Sequence, residues 1–115
     1  MIGIGYDVHR LAEGESLVLG GVTIDSSLGS VAHSDGDVVL HALCDALLGA
    51  AGLGDIGEHF PDTDPRWKNA PSRMFVEHAI ALLSQHGYSP VNIDITLILE
   101  APKIKRYKDA MRNEI

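Results

Sequence analysis

The sequence predicts one domain that combines strands and helices, an α/β fold. Apolar residues alternate with other residues in segments 2–11 and 91–99, which is typical of strands, and they recur at helical spacing in segments 38–51 and 73–86. Hydrophobic residues make up 45% of the 115-residue chain, which is enough for a packed core. Aromatic residues make up only 5%, so we expect that core to be mainly aliphatic.

Four segments account for the predicted strands and the turns between them. Segment 2–11 is the first predicted strand. Residues 17–24 contain two adjacent glycines, which predicts either a second strand with a glycine bulge or a short hairpin. Residues 25–30 are rich in Ser and Gly and are predicted to form a polar loop. Segment 91–99 is predicted to be a strand with one apolar face.

The predicted helices have recognisable starting residues. Asp37 is a plausible N-cap for a helix over residues 38–51, and Ser72 is a plausible N-cap for a helix over residues 73–86. Between them, residues 55–65 hold two prolines and four carboxylates, a composition that favours a functional loop over a plain linker.

A third predicted helix covers residues 104–115 and reaches the end of the sequence without a capping residue or a glycine. This pattern predicts that the natural domain continues further. We therefore expect residues 1–115 to be a single domain that is truncated at its C-terminus.

Charge and cysteine content exclude several classes of protein. Nine Lys and Arg residues against 16 Asp and Glu residues give a net charge of −7, which disfavours binding to nucleic acid or to an anionic membrane. The single cysteine, Cys44, cannot form an internal disulfide and is interpreted as a core residue. Neither a bilayer-spanning apolar run nor a signal peptide is evident, so a soluble cytosolic protein is expected.

Asp7 and His9 are candidate metal ligands, because residues two apart on a strand project to the same side. Catalytic zinc sites use three protein ligands of such types, and His41 on the first helix is the best candidate for the third. The alternatives are that Asp7 and His9 are solvated polar residues and that His41 is a hydrogen-bonded core residue. Asp37 and Asp45, four residues to either side of His41, could fix its tautomer or could be ordinary helix charges.

Two loops are candidates for ligand binding. Residues 33–37 precede a helix N-terminus, where backbone N–H groups favour a phosphate, although they could serve only as a capping loop. Lys103 could be a further phosphate partner, but a single lysine carries little weight. Residues 55–64 could hold hydroxyl groups or a hard cation through their carboxylates, or could be acidic surface.

Eight segments of the sequence, in order and with matching gaps, resemble the 2-C-methyl-D-erythritol 2,4-cyclodiphosphate synthase family of the non-mevalonate route to isoprenoids. They are residues 5–9, 20–22, 32–38, 40–42, 45–50, 54–57, 60–64 and 101–103. The resemblance implies an α/β domain of the α+β type, with a mixed β-sheet, helices packed on one side and a homotrimeric assembly. It also implies an intramolecular phosphoryl transfer. The 2-phosphate of 4-diphosphocytidyl-2-C-methyl-D-erythritol 2-phosphate attacks the β-phosphorus, CMP leaves, and a cyclic diphosphate forms.

The resemblance also implies roles for particular residues. Asp7, His9 and His41 would bind zinc or another divalent metal and, together with His33, form the catalytic group. The implied substrate contacts are Asp7, His9, His33, Ser34, Asp55, Ile56, Gly57, Phe60, Pro61, Asp62, Thr63, Asp64, Leu99, Lys103, Ile104 and Lys105. Within that set, the residues from 99 to 105 would receive the cytosine from the neighbouring subunit.

The family's chain continues beyond the segments matched here, and that part is expected to hold the ligand of a second divalent ion such as Mg²⁺ or Mn²⁺. Two other functions remain open, a zinc phosphohydrolase that uses water as nucleophile and a trimeric module that binds nucleotide or isoprenoid diphosphate without chemistry. The expected location is the bacterial cytoplasm, or the plastid stroma if a transit peptide has been removed.

Overall fold

The computed structural model describes residues 1–32, 34–61 and 63–115. Its strands are β1 (Leu11–Glu13), β2 (Leu17–Leu19), β3 (Val22–Ile24) and β4 (Leu28–Ser30), and its helices are α1 (Val38–Ala50), α2 (Ile56–His59), α3 (Arg73–Gln85) and α4 (Lys108–Glu114). Short 3-10 turns at Pro65–Trp67 and Lys105–Tyr107 precede α3 and α4. This combination confirms the predicted α+β class. None of the helices described here is both long and apolar enough to cross a membrane.

The described strands form two antiparallel pairs. β1 pairs with β4, and β2 pairs with β3 through a turn at Gly20 and Gly21, both with positive φ. Residues 17–24 are therefore a short hairpin, the second of the two predicted forms. The prediction of a polar loop at 25–30 was wrong for Leu28–Ser30, which form strand β4. Residue 29 of β4 must be glycine, because the backbone of Glu15 approaches it closely. A Cβ at this position would lie 2.1 Å from the Glu15 carbonyl oxygen.

The predicted strands at 2–11 and 91–99 were wrong for nearly all of their length. Only Leu11 falls in a strand, and residues 91–99 join no ladder with any other described residue. A strand requires a hydrogen-bonded neighbour as well as a suitable sequence. Met1, residues 3–5 and residues 88–96 instead line the same groove of about 550 Å³, to which α1 also contributes.

The two long helices pack against each other and form the main core. Their predicted ranges are confirmed to within one residue at the C-terminal ends. Cys44 of α1 is fully buried, and its Sγ lies 3.5 Å from the Phe75 carbonyl oxygen on α3. Burial raises the pKa of the Cys44 thiol to about 12, with a further contribution from Asp45. Cys44 is thus a core residue, as predicted.

The hairpin and α4 form a second buried cluster with α1. It contains Leu17, Leu19, Ile24, Val39 and Met111. The predicted third helix is confirmed, but it is shorter than expected because residues 105–107 adopt a 3-10 turn.

Asp37 joins the hairpin to the start of α1. Its Oδ1 accepts hydrogen bonds from the backbone N–H of Gly20 (2.9 Å) and Leu40 (3.1 Å), and its Oδ2 accepts one from Gly21 (2.7 Å). The predicted N-cap is therefore confirmed. Burial raises the pKa of this carboxyl, and the three N–H donors oppose that shift. A fully buried carboxylate is thus used to fix two elements relative to each other.

Replacing Asp37 by alanine is expected to lower the free energy of unfolding by about 2–5 kcal/mol, because the buried N–H groups of Gly20 and Leu40 lose their acceptor. Urea unfolding followed by circular dichroism measures the change. Asp37→Asn retains an acceptor oxygen and should cost less. Asp94→Ala removes an exposed carboxylate and should stay within about 0.5 kcal/mol of the parent chain. Equal losses for Asp37→Ala and Asp94→Ala would contradict this role.

Candidate metal centre

Asp7, His9 and His41 meet in one place. Asp7 Oδ2 lies 3.3 Å from His9 Nδ1 and 3.4 Å from His41 Nδ1, and the imidazole rings of the two histidines are 5.0 Å apart. One potential ligand atom from each residue lies within 4.8 Å of the other two. Asp7 and His9 project together, as the period of an extended chain predicts, and His41 faces them from α1.

The spacing of these atoms fits a small divalent cation. Two ligands that are each about 2.1 Å from a tetrahedral zinc ion are about 3.4 Å from each other. Asp7 Oδ2 and His9 Nδ1 are also buried without a hydrogen-bond partner among the described residues. Buried polar atoms are normally paired, so two unsatisfied atoms side by side indicate a group that a bound cation would satisfy. This donor set fits a metal better than it fits a core hydrogen-bond cluster.

The electrostatics keep His9 available as a ligand. Burial lowers the pKa of His9, Asp7 opposes that shift, and His41 adds to it. A lowered pKa favours the neutral imidazole, which is the form that binds a metal. The side chains of Asp7, His9 and His41 are 27%, 16% and 12% exposed, so the group is mostly shielded from solvent but still accessible.

Two glycines in the N-terminal segment allow the candidate ligands Asp7 and His9 to approach α1. A Cβ on Gly5 would lie 1.7 Å from the Ala42 carbonyl oxygen, and one on Gly3 would lie 2.0 Å from the Ala46 carbonyl oxygen. Only glycine permits this approach of the N-terminal segment to the helix backbone. Asp7 and His9 follow directly and are thereby placed beside His41.

The opposite edge of the His41 ring contacts hydroxyl groups. Its Nε2 lies 2.7 Å from Ser72 Oγ and 3.1 Å from Ser34 Oγ. Ser72 Oγ also hydrogen-bonds Asp35 Oδ1, and the Ser72 N–H donates to Asp35 Oδ2 at 2.9 Å. Ser72 occupies the N-cap position of α3, as predicted, but its side chain makes no capping hydrogen bond to the helix. Its hydroxyl is used at the His41 ring instead.

The carboxylates that the sequence singled out beside His41 are used elsewhere. Asp37 holds the hairpin, and Asp45 Oδ1 accepts a hydrogen bond from the Ile56 N–H at 2.8 Å. The carboxylate nearest to the histidine's hydroxyl partner is Asp35. Asp35 and Ser72 could not be recognised as a pair from the sequence, because they are 37 residues apart and neither belongs to a helical pattern with His41.

The segment that follows α1, predicted as a loop over residues 55–65, contains the short helix α2 and the start of a 3-10 turn. Asp55 is the N-cap of α2 and accepts a hydrogen bond from the Glu58 N–H at 2.9 Å. Asp64 caps the 3-10 turn and forms an ion pair with Arg66 at 2.7 Å. Phe60 lies in the core, with its ring 4.5 Å from that of Phe75. Among the other predicted contacts of this loop, Ile56 is half-buried, and Gly57, Pro61 and Thr63 are exposed.

The remaining predicted contacts lie on the hairpin side of the molecule or outside the described residues. Leu99 and Ile104 are half-buried against the second cluster, and Lys103 and Lys105 are exposed. His33 and Asp62 lie outside the described residues.

The fold and this site define an α+β protein with a partly buried Asp–His–His group that could hold a metal ion. The model of the YgbB family matches residues 1–115. A 2-C-methyl-D-erythritol 2,4-cyclodiphosphate synthase from Symbiobacterium thermophilum is 60% identical over 115 residues, and one from Chlorobaculum tepidum is 58% identical over 114. These matches cover 100% and 99% of this chain and 73% of each relative.

A solved structure of a synthase with the same name, in a form with bound CDP, superposes with a TM-score of 0.93 at 46% identity. That match covers 99% of this chain and 76% of the other. The chain therefore belongs to the YgbB family of 2-C-methyl-D-erythritol 2,4-cyclodiphosphate synthases. This membership confirms the resemblance seen in the sequence, together with the implied enzymatic activity and the role in isoprenoid precursor biosynthesis.

Proposed function

We propose that the chain contributes its Asp7–His9–His41 group to the conversion of 4-diphosphocytidyl-2-C-methyl-D-erythritol 2-phosphate into 2-C-methyl-D-erythritol 2,4-cyclodiphosphate and CMP. The observation that carries the proposal is the set of buried, unsatisfied ligand atoms on Asp7 and His9 facing His41. The reaction joins the 2-phosphate oxygen to the β-phosphorus and breaks the bond from that phosphorus to the oxygen shared with the α-phosphate. The electron pair leaves with CMP.

Zinc is the proposed ion, since two imidazoles and one carboxylate with an open fourth position suit it. When bound, it would supply Lewis acidity to a β-phosphate oxygen. The chain's own residues then have three tasks. Asp7 and His9 fix one side of the site, His41 fixes the other, and the partial burial of all three limits water at the reacting groups. Such positioning accounts for most of the rate in phosphoryl transfer.

The other predicted contacts are retained as part of this proposal. His33 and Ser34 would hold substrate phosphates beside the metal, and the CDP-bound relative supports a nucleotide ligand. The loop residues Asp55, Ile56, Gly57, Phe60, Pro61, Asp62, Thr63 and Asp64 would contact the methylerythritol, and Leu99, Lys103, Ile104 and Lys105 would contact the cytosine.

The proposal extends to a second metal ion and to the wider assembly. A second divalent ion, Mg²⁺ or Mn²⁺, would be held by a residue outside these 115. Residues 1–115 would form one domain of a homotrimer in the bacterial cytoplasm, with the plastid stroma as the alternative.

The test is incubation of the full-length protein that contains these residues with 4-diphosphocytidyl-2-C-methyl-D-erythritol 2-phosphate, zinc and magnesium, with products followed by chromatography and mass spectrometry. We expect CMP and the cyclic diphosphate. A product heavier by one water would indicate the phosphohydrolase instead, because water rather than the 2-phosphate would then be the nucleophile. Binding of CDP without release of CMP would indicate the binding module, and either result would reject the proposal.

A further inference from the structure

We infer that Ser72 is a positioning residue that transmits the charge of Asp35 to His41 and thereby fixes which nitrogen of His41 is free to bind the metal. This inference rests on the proposed metal site but not on the reaction carried out there. Two hydrogen bonds, from Ser72 to Asp35 and between Ser72 and His41, form this relay in the structure.

The first link sets the direction of the Ser72 hydroxyl. A carboxylate offers only acceptors, so the one hydrogen of the Ser72 hydroxyl is donated to Asp35 Oδ1. Asp35 is itself held in place, because it accepts hydrogen bonds from the Ser72 N–H at 2.9 Å and from the Asp37 N–H at 3.0 Å. The Asp35 N–H donates to the Ala70 carbonyl oxygen at 3.1 Å, which ties the two loops together. The carboxylate therefore cannot turn away without breaking several bonds.

The second link sets the tautomer of His41. With its hydrogen used, the Ser72 oxygen can only accept at its 2.7 Å contact with His41 Nε2. Nε2 must then carry the proton, and Nδ1 keeps its lone pair. Nδ1 is the nitrogen that lies 3.4 Å from Asp7 Oδ2. The free lone pair is therefore on the side of the ring that faces the other two ligands.

The burial of Ser72 indicates that its hydroxyl has a specific role in the relay from Asp35 to His41. Its side chain is fully buried, although serine is usually an exposed residue. It precedes α3 at the position where a serine normally caps the helix, yet its hydroxyl makes no such cap. Hydrogen bonds of this kind to a metal-binding histidine fix the ring and raise its basicity, and their loss typically lowers metal affinity 10–100-fold.

The direct test is the protonation pattern of His41 in the metal-free chain. Long-range ¹H–¹⁵N correlation spectra at mildly alkaline pH distinguish the two neutral tautomers, and the His41 signals are assigned by their absence in His41→Ala. We expect the proton on Nε2. A proton on Nδ1 in the parent chain would overturn the inference, whatever the reaction turns out to be.

The second test is zinc affinity in Ser72→Ala, measured by competition with a chelator. The expected loss is about 10-fold or more, together with a mixture of the two His41 tautomers. Ser84→Ala is the matched control, because Ser84 is exposed near the other end of α3. A Ser72 that served only to stabilise the fold would lower the urea midpoint but leave the zinc affinity and the tautomer unchanged. That result would also overturn the inference.

Discussion

His41→Ala is expected to abolish stoichiometric zinc binding. The substitution removes one of three ligands and leaves Asp7 and His9 alone on an extended segment, where they cannot surround an ion. Loss of a residue that only orients a ligand typically costs 10–100-fold in metal affinity, so loss of the ligand itself should exceed about 100-fold. Equilibrium titration against a chelator, with metal content measured after gel filtration, gives the result directly.

A matched control distinguishes loss of the ligand from a general effect of removing a histidine. His86 follows α3, is exposed, and contacts the Leu82 carbonyl oxygen rather than the metal centre. His86→Ala should therefore bind zinc as the parent chain does. Stoichiometric zinc retained by His41→Ala would reject His41 as a ligand and with it the proposed use of the site.

The sequence predicted the helices well and the strands poorly, and the difference has a physical cause. A helix satisfies its hydrogen bonds within one segment, so the apolar spacing and end signals of residues 38–51 and 73–86 were sufficient. A strand depends on a partner elsewhere in the chain. Segment 91–99 has the alternation of a strand, yet no described neighbour pairs with it.

The two-residue period of segment 2–11 still predicted correctly that Asp7 and His9 project to the same side. Asp7 and His9 are half-buried on one side, while Tyr6 and Val8 are exposed on the other, so the alternation of an extended chain is kept without a ladder. The direction of the projecting side chains depends on the backbone period alone, which is local. The placement of Asp7 and His9 on one side could therefore be predicted although the strand that was expected to carry them did not form.

Contacts between loops distant in sequence could not be predicted. Ser72 looked like a helix cap because residue type and position in the chain were the only signals available. Its actual partners, Asp35 and His41, come from a different part of the chain. Asp37 was identified as a cap from the same kind of signal, and there the prediction was confirmed, but its bonds to the hairpin turn were not foreseeable.

Gly5→Ala is expected to disrupt the metal centre without touching any ligand. The new Cβ would lie 1.7 Å from the Ala42 carbonyl oxygen and 2.9 Å from the Ala46 backbone nitrogen. Both are backbone atoms of α1, so no flexible side chain can move aside to relieve this contact. The N-terminal segment must therefore shift away from α1 and carry Asp7 and His9 with it, away from His41.

Overpacking of this kind costs about 1–3 kcal/mol of stability, and the displaced ligands should lower zinc affinity by more than the loss of stability alone explains. Gly49→Ala is the control, because it lies in α1 with nothing within 4 Å of its added Cβ. That variant should bind zinc normally and be stabilised by up to about 1 kcal/mol. Zinc titration and urea unfolding of both variants separate the two effects. If Gly5→Ala binds zinc as tightly as Gly49→Ala, then the close approach of residues 3–5 to the helix does not position the site.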